Sequence, residues 1–128
     1  MSFDRKYLVW ALGYAVAGMC VGLYMGASGN HGEMVAHAHI LLIGFAVSLF
    51  YGLIHKLWLA RPPRTIARVQ FILHQASTLV VSLGLLLLYG GVLADAMVGP
   101  VLGIASAGVL GGVLLMLYMV VKADAAPA

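Results

Sequence analysis

Residues 35–45 read VAHAHILLIGF, and this apolar stretch with two histidines decides both the fold class and the candidate site. It belongs to a longer run, residues 35–59, which can cross a bilayer because a crossing takes about 20 helical residues. Histidine is costly in hydrocarbon unless it is paired, so His37 and His39 indicate a functional site. Two histidines separated by one residue suggest that this site binds a metal ion or haem.

The rest of the chain repeats the apolar pattern. Of its 128 residues 63% are hydrophobic and 9% are charged, whereas soluble domains have about 25% charged residues. Four apolar runs, residues 7–26, 35–59, 66–93 and 97–121, predict an all-α membrane protein, a four-transmembrane-helix bundle in a single domain spanning residues 1–128. Pro62 and Pro63 are expected to end the second helix, and residues 123–128 are expected to fray.

The basic residues all fall on one side of this predicted topology. They precede the first run, flank the second connection and follow the fourth run: Arg5, Lys6, Lys56, Arg61, Arg64, Arg68 and Lys122. The only charged residues in the other two connections are the acidic residues Glu33 and Asp95. The positive-inside rule therefore predicts that both termini are cytoplasmic, in a bacterial-type inner membrane. Because topology accounts for the net charge of +3, no nucleic-acid partner is expected.

His37 and His39 cannot bind the same metal ion from one regular helix, because a helix turns about 100° per residue and their side chains point about 200° apart. The face of His37 continues through small and polar residues and is expected to face a protein interior: Gly44, Ser48, Tyr51 and His55. The face of His39 is apolar and is expected to face outward: Ile43, Ala46, Phe50, Leu53 and Leu57. An unpaired polar group in lipid is costly, which predicts an oligomer with His39 at the subunit interface. The alternative is that His39 snorkels to the membrane surface.

His55 and His74 lie in the other half of the membrane. By helical rise, His74 is roughly 20 Å from His37 in depth, too far for the two to share one metal ion or one haem. His55 is nearer to His74, roughly 7 Å away in depth. This pair is compatible with a second, inner cofactor site, and the alternative is that each is a hydrogen-bonded structural histidine.

The outer connection offers a different set of metal ligands. Residues 28–33 read SGNHGE and place His31 and Glu33 shortly before His37 and His39. Imidazole suits both copper and zinc, so these four side chains are a candidate site for either metal. The alternative is a solvated or structural role for His31 and Glu33.

Small residues recur at four-residue spacing in the first and last helices. They are Gly18, Gly22 and Gly26 in the first, and Gly99, Gly103, Ala107 and Gly111 in the last. Such faces let membrane helices approach closely, within a chain or between chains. No hydrolase motif, phosphate-binding loop or dinucleotide fingerprint accompanies them.

The residues around His37 and His39 resemble part of subunit I of the haem–copper oxidase and nitric-oxide reductase superfamily. The similar stretch there supplies an axial ligand of the low-spin haem b and is followed by a segment like residues 50–54, FYGLI. Residues 70–75, QFILHQ, resemble the start of that family's next helix, where a QFWL pattern is usual. The chain is also similar to small four-span proteins with an AHAH(I/L)NLLGW pattern, with Leu41 in place of the Asn and Phe45 in place of the Trp.

The resemblance covers the second and third predicted helices and implies haem b binding by His37 and His39, without deciding which of them matches the family's ligand. The family fold has twelve helices in three arcs of four, so a homotrimer of this chain would rebuild the ring. One later helix of the family carries a His-x-His pair whose members bind two different haems. The chain has no adjacent His-His pair, so the resemblance does not extend to the oxygen-reducing centre.

Three functions are compatible with these features. The leading one is an oligomeric haem b protein for electron transfer or small-gas redox chemistry, an oxidoreductase-like role with an unknown redox partner. The second is a copper or zinc carrier or assembly protein that uses His31, Glu33, His37 and His39. The third is a cofactor-free accessory membrane subunit whose glycine-rich faces dock a larger complex.

Overall fold

A computed structural model describes residues 1–123 and contains four long helices in this part of the chain. They are α1 (Phe3–Ser28), α2 (Met34–Leu57), α3 (Arg64–Tyr89) and α4 (Asp95–Lys122). Each is long and apolar enough to cross a membrane. The prediction of four transmembrane helices is therefore confirmed, while the prediction for the tail falls on residues 124–128, outside the described residues.

The helices begin and end up to four residues from the predicted bounds, and two of these differences have a clear local cause. Helix α2 ends at Leu57, before the two prolines, because the amides of Trp58 and Leu59 both close onto the carbonyl of Ile54. Pro63 instead stands at the N-cap of α3, where its missing N–H is not needed. Helix α3 ends at Tyr89, because Gly91 adopts a left-handed φ of 74° that turns the chain.

The helices pack in chain order. Helix α1 packs along α2, α2 packs on α3, and α3 packs closely along α4. Within the described residues α1 and α4 do not pack closely on each other. Helices α2 and α3 thus form the centre, with α1 and α4 at the two sides.

The middle of α2 is a π-helix, which the sequence pattern did not predict. The segment covers Ile40–Val47 and lies between the α-helical segments Met34–His39 and Ser48–Leu57. Gly44, in this segment, is buried beneath the ring of Tyr14 from α1. π-helical segments within α-helices are rare and frequent at functional sites, and this one begins directly after His39.

The buried core divides along the membrane normal. At the end that carries the termini, a cluster contains residues from all four helices and from the connection between α2 and α3: Tyr7, Tyr51, Leu59, Ala67, Met116 and Met119. At the opposite end, a smaller aliphatic cluster is formed by Ala36, Val81, Leu85 and Ala105. Polar side chains concentrate on α3, which carries six of the eight polar residues that are buried within residues 1–123: Gln70, His74, Gln75, Ser77, Thr78 and Ser82.

The glycine faces pack partly within the chain. In α1, Gly18 lies against Leu41 and Ile40 of α2, whereas a Cβ at Gly26 would meet no atom of another element within 4 Å in the described chain. In α4, the glycines near the terminal end pack on α3: Gly108, Gly111 and Gly112. A Cβ at Gly99 or Gly103 would meet no such atom among residues 1–123. Both seams are therefore intramolecular in one part and open in another.

Candidate functional site

His37 is held against α1. Its Nδ1 lies 2.8 Å from the carbonyl oxygen of Gly18. The ring passes so close to Gly22 that a Cβ there would lie 3.0 Å from His37 Cε1. The two glycines therefore serve this histidine directly: one supplies an accessible carbonyl and the other leaves room for the ring.

His39 faces the opposite side of α2. Its Nδ1 lies 2.8 Å from the carbonyl oxygen of Val35, one helical turn earlier. The side chain lines a cavity of about 270 Å³ between α2, α3 and α4, whose other walls are Ile43, Val81, Leu85, Leu102, Ser106 and Val109. The ring is half-buried. The expectation that it faces outward is therefore wrong in part, because α3 and α4 shelter it, whereas Phe50, Leu53 and Leu57 farther along the same face are exposed.

These hydrogen bonds define the tautomer of both rings. A carbonyl oxygen can only accept a hydrogen bond, so Nδ1 of His37 and of His39 carries the proton. The lone pair of a neutral ring is then on Nε2, which has no hydrogen-bonding partner within residues 1–123 for either histidine. Metal-bound histidines commonly have this arrangement, with the other ring nitrogen oriented by a backbone carbonyl.

The outer connection does not assemble the candidate copper or zinc site as it stands. His31 is exposed, and its Nδ1 lies 3.2 Å from the carbonyl oxygen of Gly29. Glu33 is directed toward Gly90 at the end of α3, and its Oε2 is buried without a partner. Across residues 1–123, no three His, Cys, Asp or Glu side chains converge closely enough to hold a metal ion.

His55 and His74 are both buried and are separated by an aromatic ring. The ring centroid of Tyr7 lies 5.7 Å from that of His55 and 6.2 Å from that of His74. Nε2 of His74 lies 3.1 Å from the hydroxyl oxygen of Ser48. The Tyr7 ring therefore lies close to both histidines of the pair that the sequence offered as a second, inner cofactor site.

Tyr7 takes part in the inner region around His55 and His74, and the sequence patterns did not identify it. It is fully buried, and its hydroxyl donates a hydrogen bond to Oε1 of Gln70, whose Nε2 donates to the carbonyl of Gly112 at 3.1 Å. This relay joins α1, α3 and α4. One sequence feature could have indicated such a partner: the first half of α3 is rich in polar residues, and these need hydrogen-bonding partners from another helix.

Comparisons with protein-family models, with curated proteins and with solved structures each found no match to this chain. The likeness to subunit I of the haem–copper oxidases therefore rests only on the segments around His37, His39 and His74.

Proposed function

We propose that this chain is an oligomeric haem b protein whose axial ligands are His37 and His39. The observation that carries the proposal is the shared orientation of these two rings. Each has Nδ1 fixed by a backbone carbonyl and Nε2 left without a partner in the described chain. Neither inner histidine has this arrangement, because Nε2 of His74 faces Ser48 and Nε2 of His55 is enclosed.

The proposal requires a neighbouring copy of the chain. The rings contact different sides of α2, since His37 lies against α1 and His39 faces α3 and α4. The cavity of about 270 Å³ beside His39 is smaller than most cofactor sites, which occupy roughly 300–1,000 Å³. A second chain would complete the enclosure, and a homotrimer is the assembly that the haem–copper oxidase likeness favours.

The chain's own contribution would be ligation, orientation and exclusion of water. Haem would supply one-electron transfer, or the binding and reduction of a small gas. The carbonyls of Gly18 and Val35 hold Nδ1–H of the two ligands and raise the basicity of Nε2. The apolar walls beside His39, including Val81 and Leu85, would keep water from the cofactor.

The charge pattern supports an orientation for the site. All seven basic residues lie in or beside the helix ends at the side of the termini. We place that side in the cytoplasm of a bacterial-type inner membrane by the positive-inside rule. His37 and His39, near the start of α2, would then lie toward the outer surface.

An absorption spectrum of detergent-purified protein tests the proposal. We expect a Soret band and, after dithionite reduction, sharp α and β bands typical of low-spin haem b. The variants His37→Ala and His39→Ala should each lose most of the Soret absorbance. The matched control is His31→Ala, an exposed histidine of the outer loop, which should keep the full band.

Two outcomes would replace the proposal. Stoichiometric copper or zinc without a Soret band, reduced in the His31→Ala variant, would establish the metal-carrier alternative. A protein that binds neither metal nor haem after expression with ample haem, and whose His37→Ala/His39→Ala double variant still folds, would instead be an accessory membrane subunit.

A further inference from the structure

The terminal half of the protein contains a continuous series of buried polar side chains that the proposed haem site does not use. It begins at His55, in the last turn of α2, where the ring of Phe3 stacks at 5.3 Å. It passes Tyr7 and Tyr51, whose ring centroids are 5.5 Å apart. The ring of Tyr51 then meets that of His74 at 4.9 Å.

The series continues beyond His74 toward the centre of the membrane. The hydroxyl of Ser48 lies 3.1 Å from Nε2 of His74 and accepts a hydrogen bond of 3.4 Å from Nε2 of Gln75. Thr78 follows one turn later on α3 and is 1% exposed. His74 is ten residues into α3, which places it roughly 15 Å deep, near the middle of the hydrocarbon core.

Five atoms along this series are enclosed and have no hydrogen-bonding partner in the described residues. They are Nε2 of His55, the hydroxyl of Tyr51, Nδ1 of His74, Oε1 of Gln75 and Oγ1 of Thr78. An unpaired polar group is especially unfavourable in a membrane protein, where lipid offers no replacement partner. Such a concentration of unpaired groups indicates internal water, which pairs buried polar groups in most proteins.

We propose that this polar core, defined as His55, Tyr7, Tyr51, His74, Ser48 and Gln75, is hydrated and conducts protons between the membrane surface at the terminal side and His74. His74 is the proton-binding group at its inner end. A water molecule in the core passes a proton to the free ring nitrogen of His74, which becomes an imidazolium ion while the water regains a proton from the next water toward the surface. Only O–H and N–H bonds change, and no electron is transferred.

Few groups around His74 could exchange a proton with its ring. Tyr7 faces it from α1, and Tyr51 faces it from α2. Helix α4 contributes Gly112, which carries no titratable group. At the entrance, Nζ of Lys6 lies 5.0 Å from the centre of the Phe3 ring, and the Asp4 carboxylate lies close enough to His55 for their charges to interact. No carboxylate among the described residues hydrogen-bonds His74, so water is left as its proton donor.

Solid-state NMR of the ¹⁵N-histidine-labelled protein in lipid vesicles tests this proposal, with or without haem bound. The His74→Gln variant assigns the ring signals. We expect magnetisation transfer from water to the His74 ring. In D₂O, its ring N–H should exchange faster than the backbone amides of the surrounding helix.

A pair of conservative variants locates the path. Tyr51→Phe removes one buried hydroxyl of the polar core, and Tyr118→Phe removes an exposed one from α4 near the same end of the protein. We expect Tyr51→Phe to slow ring exchange at His74 by about tenfold, as loss of one hydrogen bond would, and Tyr118→Phe to leave it unchanged. Absence of water transfer to His74, or equal exchange rates in the two variants, would overturn the proposal.

Discussion

The two pairs of histidines differ in what holds their rings. His37 and His39 are fixed by backbone carbonyls and are half-buried. His55 and His74 are enclosed by side chains, with aromatic rings and a serine around them. In the outer pair, a backbone carbonyl orients Nδ1 and leaves Nε2 available to a ligand. In the inner pair, the surrounding side chains enclose the whole ring within the protein.

This difference indicates which pair can take an external ligand. A cofactor must reach Nε2 from outside the chain. In the half-buried outer pair this nitrogen has no hydrogen bond in the described residues, whereas Nε2 of His74 faces Ser48 and Nε2 of His55 is enclosed. The inner pair is buried between packed helices, and the role that we propose for it involves only water and protons. The same side-chain chemistry thus supports two proposed roles, separated by depth in the membrane.

The largest expected effect comes from Gly44→Ala, which should disturb both regions. A Cβ at this position would lie 2.6 to 2.9 Å from Tyr14 ring and Cβ atoms. Tyr14 is 6% exposed and cannot easily move, so α1 must separate from α2. We expect a loss of about 3 kcal/mol in the free energy of unfolding, the upper range for overpacking, measured by SDS titration with circular dichroism.

Gly13→Ala is the matched control for this prediction. Gly13 lies one residue before Tyr14 on α1, and a Cβ there would meet no packed atom within 4 Å in the described residues. Replacing an unpacked helical glycine by alanine raises helix propensity, so stability should stay unchanged or increase by up to about 1 kcal/mol. Equal stability of the Gly44→Ala and Gly13→Ala proteins would show that α1 and α2 are not packed as described.

The second prediction affects the inner region alone. Gln70→Leu removes the acceptor of the Tyr7 hydroxyl and the donor to the carbonyl of Gly112. Hydrogen bonds between membrane helices contribute about 0.6 kcal/mol on average, so we expect a loss of about 1–2 kcal/mol. The Soret band expected for the outer pair should be unaffected.

A double-mutant cycle that combines Gln70→Leu with Tyr7→Phe measures the interaction between these two side chains. Because both substitutions remove the same hydrogen bond, the double variant should lose less stability than the two single variants combined. Additive losses would mean that Tyr7 and Gln70 do not interact, and the relay from α1 to α4 would have to be abandoned.

The number of helices and their rough limits could be predicted from the sequence because hydrocarbon thickness imposes a length on each apolar run. The opposite directions of His37 and His39 followed from helical spacing, and the structure confirms that they contact different helices. Boundaries were less predictable, since the end of α3 depends on the left-handed conformation of Gly91 rather than on hydrophobicity.

The tertiary details of the site could not be predicted from one sequence. The π-helix after His39 has no compositional signal, and neither has the packing of Gly44 within it against Tyr14 of α1. The partner of Gln70 could not be identified either, since Tyr7 is 63 residues away along the chain. Polar residues in an apolar helix predict that partners exist, but only packing identifies them.

The smallest expected change in stability affects the outer region alone and comes from Gly22→Ala. A Cβ at Gly22 would lie 3.0 Å from Cε1 of His37, so the ring must shift by a few tenths of an ångström and its bond to the Gly18 carbonyl would be misaligned. Because the ring is the movable end of a side chain, stability should change by no more than about 0.5 kcal/mol. The spectrum should respond more strongly, with a shifted or weakened Soret band.

Gly26→Ala is the control on the same face of α1, one turn closer to the outer connection, where a Cβ would meet no packed atom within 4 Å in the described residues. It should leave both stability and spectrum unchanged. If the two glycine variants have identical spectra while His37→Ala loses the band, the position of the His37 ring against α1 does not govern ligation. The contrast between carbonyl-oriented outer rings and enclosed inner rings would then have no consequence for the cofactor.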